Sequence, residues 1–429
     1  MGRNSGMRVL LLLGITIVLA ACGGGGGRDI VNPPPPSGNF VFSILASEQD
    51  ASTAEKLGWT SGIPGAEVTI TPVDGSAAPR TLTSSAAGTV SISALQAGRY
   101  RVSVRRLLTA SEIATLNEVS GAGAFVGESE VEVASSSGTA TVRVPASFRT
   151  SLVISEWSFQ HKWIPGTGNY RFGGFLELYN NSDTTVYLDG ILVADAMARI
   201  THQPNEGTGG ADCAKNSVYM NDPAGIWAEF MAAFPGTGRD FPLAPGKAAV
   251  VATDAIDHRQ FFADMLDLRG ANFEFIGSAD VDNPAVPNMI ERGVREYFYG
   301  HGILFDHSTA AATPIFLPTA SASLVRANVP VNNNEFFRLP RERMLDVFTG
   351  ISNYMANQQP PIAVCPELVH ASMDRKYGVF MIDEPDKHLV SFSRKILRTL
   401  PDGRHVLQST RTSANDFQRT SRTPGVVAP

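Results

Sequence analysis

Asp280-Val-Asp282-Asn283 alternates two carboxylates and sets an amide beside them. Hard cations such as calcium take oxygen ligands from loops of this kind. Asp280, Asp282 and Asn283 are therefore weak calcium candidates. The further acidic residues and the glutamate of an EF-hand loop are missing, and Asx turns before Pro284 explain the same letters. Asp254, Asp257 and His258 have the residue types of an acid–base cluster, although helix capping and solvation account for them as well. Of the eight histidines, His301 and His307 lie nearest, six apart, which is not a ligand spacing on helix or strand. No HExxH, GxSxG or Walker A motif occurs, and no GxGxxG lies between strand and helix. The expectation is a chain without catalytic residues, cofactor or bound metal. Trp157, Trp163, Tyr170 and Phe172 crowd into one short stretch. Such rings stack on sugars, anchor a partner or pack a core.

These residues stand behind an export signal. Arg3 and Arg8 form a short basic segment, and Val9 to Leu19 is an apolar run broken only by Gly14 and Thr16. A membrane span needs about 20 apolar residues, so this run has the size of a secretory signal instead. Leu19-Ala20-Ala21-Cys22 resembles the lipobox of bacterial lipoproteins. The resemblance implies removal of residues 1–21 as a signal peptide, a diacylglyceryl group on the Cys22 sulfur and acylation, with palmitate for example, of the freed amine. Two or more acyl chains anchor a protein stably. Residues 22–37 read as a tether, with flexible glycines at Gly23 to Gly27 and a stiffer proline run at Pro33 to Pro36. Gly23 is not the aspartate that retains such proteins at the inner membrane, so the cell outer membrane is expected. No acidic run follows Cys22, which leaves the periplasmic or surface face undecided.

The 429 residues carry a formal charge of −6, and −8 once Arg3 and Arg8 have left. An acidic body argues against nucleic acid as the principal partner. Charged residues make up only 18%, against 40 Gly and 27 Pro, a mixture suited to strands and turns. With Cys22 lipidated, Cys213 and Cys365 remain in an oxidising compartment, and a disulfide between them is expected. Closing so long a loop would contribute about 5 kcal/mol by chain entropy. Two buried thiols or half a metal site are the alternatives, and no CxxC or nearby histidine supports the metal.

Short alternating runs begin at Phe40. Phe40 to Ile44, Ala66 to Thr71, Thr81 to Ser84, Thr89 to Ser93, Tyr100 to Val104 and Ser136 to Val144 read as strands, separated by turns at Pro64-Gly65, Asp74-Gly75 and Ala87-Gly88. Ser111 to Leu116 reads as a short capped helix. The run from Pro64-Gly65-Ala66 through Gly88 to Leu95-x-x-Gly98-x-Tyr100-x-Val102-x-Val104 resembles the carboxypeptidase regulatory-like domain, a transthyretin-like sandwich assigned here to 38–148. From 150 to 429, the pieces Ile154-Ser-Glu156, Leu176-Glu-Leu-Tyr-Asn180, Val186-x-Leu188-x-Gly190, Leu243-x-Pro-Gly246, Ser393-Arg394 and Thr423-Pro-Gly425 resemble a lamin-tail-type immunoglobulin-like sandwich. The expected fold is thus mainly β, two β-sandwiches, the second with long α-helical and loop insertions. One such helix is expected over 222–234. Asn221-Asp-Pro223 would cap it, and Ile226, Trp227, Phe230, Met231 and Phe234 would form its apolar stripe.

The whole chain also resembles a family of bacterial lipoproteins, found mostly in Bacteroidetes, that pairs these two domains and has no established activity. Glu177 to Asp183, Pro235-Gly-Thr-Gly238, Asp257-His258, Asp280 to Asn288 and Asp402-Gly-Arg404 carry that likeness. It implies a non-enzymatic binding or accessory module, with a TonB-dependent outer-membrane transporter as partner. The alternative is an envelope hydrolase whose site is built from the inserts at 195–240 and 254–345. Among the matched positions, Glu156, Glu177 and Arg394 are charged within strand patterns. A charge there must reach solvent or find a partner, and pairing of Arg394 with one of the glutamates is expected.

Overall fold

The computed structural model describes residues 38–116, 122–158, 162–165, 168–170, 172–196, 218–275, 281–292, 310–320, 323–329, 334–352, 368–380 and 389–427. The chain is mainly β. Two sheets enclose the first core. Strand Asn39–Ala46 lies between Thr89–Ser93 and, in parallel, Gly138–Val144. Opposite runs a five-stranded sheet in the order Arg80–Thr83, Glu67–Pro72, Gly98–Leu107, Ala122–Val133 and Ala146–Phe148. Alternation drives this arrangement. Phe40, Phe42 and Ile44 point inward from one sheet, and Val68, Ile70, Val102 and Val104 from the other. The expected strands all form, with small shifts at their ends. Gly88 turns with φ +72°, and a Cβ there would sit 2.5 Å from the Gly62 backbone, so only glycine fits. The short helix forms at Ala110–Thr115 with a capping box: Glu112 N donates to Thr109 Oγ1, and Glu112 accepts from Thr109 N.

The second body stacks a six-stranded sheet on an eight-stranded one. The six-stranded order is Phe273–Glu274, Ala248–Ala252, Phe175–Asn180, Leu152–Ser158, Val390–Arg394 and Phe417–Ser421. Trp157 fills the space between the layers, stacked at 5.1 Å on Phe348 and at 6.4 Å on Phe392, and donating its indole N–H to Thr313 Oγ1 at 3.2 Å. The eight-stranded sheet is covered on both faces. Val193, Ala232 and Ile315 face Trp157, while Leu192, Ala194, Met231 and Phe316 face a second cluster with Met220, Leu368 and Met373.

Here one expectation fails. Residues 222–234 form no helix; Gly225–Ala233 is a strand of the eight-stranded sheet, between Leu192–Ala196 and Asn334–Pro340. A strand buried on both faces reads as a continuous apolar run. Its register with Leu192–Ala196 also skips Glu229, so the inward set changes parity midway. The result mimics a helical stripe.

The two bodies meet through specific bonds. Arg105 donates twice to the Leu397 carbonyl, at 2.8 and 3.1 Å. Arg375 forks onto the buried carboxylate of Asp50, which also accepts from Ala146 N at 3.0 Å. Phe148 N donates to the Ser409 carbonyl at 2.7 Å.

Candidate functional site: a carboxylate pair and an aromatic surface

The outer face of the six-stranded sheet gathers the chemistry. Strand Leu152–Ser158 carries a bulge, because Glu177 faces Glu156 but Leu178 faces Ile154, leaving Ser155 extra. Leu152, Ile154 and Trp157 therefore all enter the core despite their odd spacing, and Glu156 is turned outward. There it lies opposite Glu177, and both are almost wholly buried. Isolated buried carboxylates are costly, and each is met by donors. Glu156 accepts from Ser391 Oγ, from Thr423 N at 2.9 Å and from Thr423 Oγ1 at 3.0 Å. Glu177 accepts from Ser155 Oγ at 2.7 Å and Gly425 N at 2.6 Å. The C-terminal segment is thus strapped across the sheet by two carboxylates. Burial outweighs these bonds and raises both acids, with Glu177 pushed up to about 7 and Glu156 in the same direction.

Arg394 pairs with neither glutamate, a correction to the expected ion pair. Ser391 and Ser393 share the outer face with Glu156, so Arg394, one residue on, points the other way, beside Phe392. Its guanidinium pairs with Asp346 and, at 3.5 Å, with Asp416. It also donates to the carbonyls of Ile154 at 2.7 Å and Gln408 at 3.0 Å, and lies 4.4 Å over the Phe417 ring. Nothing in the spacing of Asp346 or Asp416 marked them as its partners; both lie in parts of the sequence with no alternating signal of their own.

Next to the strap is a surface cluster of rings. Tyr170 ends the short strand Gly168–Tyr170, which pairs with Lys162–Ile164. Its ring meets Phe262 at 5.3 Å, Phe172 at 5.6 Å and Phe261 at 5.8 Å, and Phe261 is 52% exposed. Lys162 Nζ lies 5.5 Å over Phe262 and pairs with Asp264. Arg422, at the start of the strap, donates to the carbonyls of Asp264 and Gly173, and so ties the two features together. Of the four aromatics singled out in the sequence, Trp157 belongs to the core, and Tyr170 and Phe172 to this surface; the Trp163 side chain lies outside the described residues. Phe261 and Phe262 were missed, and only their adjacency to Asp257-His258 hinted at them.

His258 is buried beneath these rings. Its Nε2–H donates to the Asp254 carbonyl at 2.9 Å, so Nδ1 accepts from the Tyr170 hydroxyl at 2.7 Å. Burial disfavours the charged imidazole and lowers its pKa. Asp257 is held by Arg259 at 2.7 Å and, through Asp267 and Arg269, belongs to a surface ion-pair network. The three residues therefore brace a turn, with both imidazole nitrogens engaged. Asp282 accepts from Asn288 Nδ2 at 2.8 Å, and Asn283 Oδ1 closes an Asx turn over Pro284 by accepting from Ala285 N at 3.1 Å. Among the described residues no three His, Cys, Asp or Glu side chains converge as a metal site would need. Asp280, Cys22, Cys213, Cys365, His301 and His307, and with them the lipidation, disulfide and tether expectations, lie outside the described residues.

Among solved structures, the chain is similar to a DUF4876 family protein from Bacteroides thetaiotaomicron, with 16% identity and a TM-score of 0.47 over 89% of this chain and 94% of that one. It also shows similarity to a proposed carbohydrate-binding protein from Bacteroides uniformis, with 12% identity and a TM-score of 0.16 over 51% of this chain and 99% of that one. No curated protein matches it. Residues 244–424, which include Phe261 and Phe262, the strand carrying Ser391 and Arg394, and the strap as far as Thr423, match the family model described as protein of unknown function (DUF4876).

Proposed function

We propose that the chain is a lipid-anchored protein of the bacterial cell envelope that acts as a non-enzymatic binding or accessory module, with an outer-membrane transporter of the TonB-dependent kind as its partner. The observation that carries this reading is the ring surface of Tyr170, Phe172, Phe261 and Phe262, held on a braced turn with a half-exposed phenylalanine at its edge. Clustered aromatics on rigid supports are typical anchors of interfaces. Beneath them, both ring nitrogens of His258 and the carboxylate of Asp257 are held in hydrogen bonds within the fold, which supports binding over catalysis.

The anchor is tested by growing cells with labelled palmitate. Label is expected on the full-length precursor's product and absent from Cys22→Ser, which should leave the membrane fraction; a soluble, unlabelled parent protein contradicts the anchor. The binding role is tested by photo-crosslinking from position 261 in intact cells. A cross-link to a transporter is expected, and Phe261→Ser should weaken that association by about thirtyfold, the effect of losing a central aromatic contact of about 2 kcal/mol. No cross-link, together with turnover of an envelope polymer by the purified protein, would overturn it.

A further inference from the structure

A cleft of about 130 Å³ opens beside the junction of the two bodies. One water needs roughly 10–15 Å³ measured this way, so the space admits a group the size of a monosaccharide. Its walls include Thr150, Arg341, Asp346, Ser409, Arg411 and Asp416.

The charges in these walls are not balanced alike. Asp346 is turned to Arg394 and to Ile154 N. Both oxygens of Asp416 are taken up by Thr410 N, Thr410 Oγ1, Gln408 Nε2 and Arg394. Arg341 and Arg411, by contrast, have no side-chain hydrogen bond or ion pair among the described residues. Arg411, although exposed, rests its guanidinium 4.2 Å over the Phe148 ring. Its backbone is left-handed, with φ 54°, a conformation that strains any residue but glycine. Desolvation, then the like charges of Arg375 and Arg341, lower its pKa. Arg411 and Arg341 are both exposed at this cleft and neither is held in a side-chain ion pair among the described residues, which leaves two cations able to meet an anion there. Thr150 Oγ1 already accepts from Asn181 Nδ2 at 3.2 Å, which leaves its own O–H to donate.

We propose that this cleft binds a monosaccharide-sized ligand through an oxyanion, a carboxylate, sulfate or phosphate, held by Arg411 and Arg341 with the hydroxyls of Thr150 and Ser409 as neutral partners. Guanidinium groups present donors in a planar fork that matches such anions. The site is separate from the aromatic surface and stands without it.

Calorimetric titration of the purified chain tests this, with glucuronate, glucose 6-phosphate, glucose 6-sulfate and glucose as probes at about 0.15 M salt. At least one charged sugar should bind and glucose should not; which one binds identifies the oxyanion. Arg341→Ala and Arg411→Gly should each weaken binding about tenfold or more. Arg411→Gly relaxes the left-handed backbone, so its Tm should not fall, which separates lost binding from lost folding. The proposal is overturned if no charged sugar binds at millimolar concentration, if both variants bind like the parent, or if inorganic phosphate and sulfate bind as tightly as the sugar esters.

Discussion

Arg394→Met should destabilise the protein by about 3–5 kcal/mol, the range expected when one partner of a buried ion pair is removed. The guanidinium is 1% exposed and joins both layers of the second body: Asp346 lies in the strand Met344–Ser352 of one sheet, and Ile154 belongs to the other. Without it, the buried carboxylates of Asp346 and Asp416 would lose the cation that both of them share. Urea unfolding, followed by tryptophan fluorescence, to which the buried Trp157 and Trp227 contribute, measures the loss. Adding Asp346→Asn and Asp416→Asn to Arg394→Met should recover part of it, because the uncompensated charges go with them. A single variant within about 1 kcal/mol of the parent would show that packing alone holds the layers together.

The second large effect concerns pH. In the fold Glu177 titrates at about 7, against 4.5 as the ordinary value, because burial disfavours its charged form. A raised acid keeps its proton in the folded state where the unfolded chain has lost it. Its stabilising contribution is therefore complete below pH 4.5 and is lost as pH rises through about 7. The slope is at most about 1.4 kcal/mol per pH unit within that window. Asp374, buried among Ser413 and Thr349 and raised to about 6, acts in the same direction. Surface carboxylates such as Asp402, held low by Arg404, act only in more acidic solution. His258, whose charged form burial disfavours, works the other way below its ordinary value of 6.5. The carboxylates outnumber it, so stability from urea unfolding should fall between pH 5 and about pH 7. Glu177→Gln, which resembles the protonated acid and keeps an acceptor for Gly425 N, should flatten the curve by about one proton's worth. Parallel curves for parent and variant would mean that Glu177 is ionised throughout.

Much of the first sandwich was legible because its strands bury one face each. Phe40, Phe42 and Ile44 alternate with half-exposed neighbours, and glycines such as Gly88 punctuate the turns. Its longest strand, Ala122–Val133, was missed, since its second half, Glu128-Ser-Glu-Val-Glu132, pairs at the surface with the arginines of Gly98–Leu107 and carries little apolar signal. In the second body the pattern weakened where sheets were covered twice. The strand Gly225–Ala233 offered apolar residues to both sides and skipped a residue, so period two vanished. The candidate site was half visible. Glu156 and Glu177 stood out as charges within strands, but a bulge at Ser155 decided which way Glu156 points, and the alternation of one strand sent Arg394 to the opposite side. Bulges and partners such as Asp346 are tertiary choices, and a single sequence shows no local trace of them.

The bond between Ser391 and Glu156 spans 235 positions of the chain. While the protein is being made, Leu152–Ser158 can pair with Phe175–Asn180 early, yet its other edge stays bare until Val390–Arg394 emerges. Open edges recruit foreign strands, and such distant pairing is slow to find. A product broken off before Val390 would therefore not be a smaller working molecule but a sticky fragment. Tying Thr423 and Gly425 onto Glu156 and Glu177 closes the same sheet from a still later stretch, so its seams are hidden only once that stretch has been made.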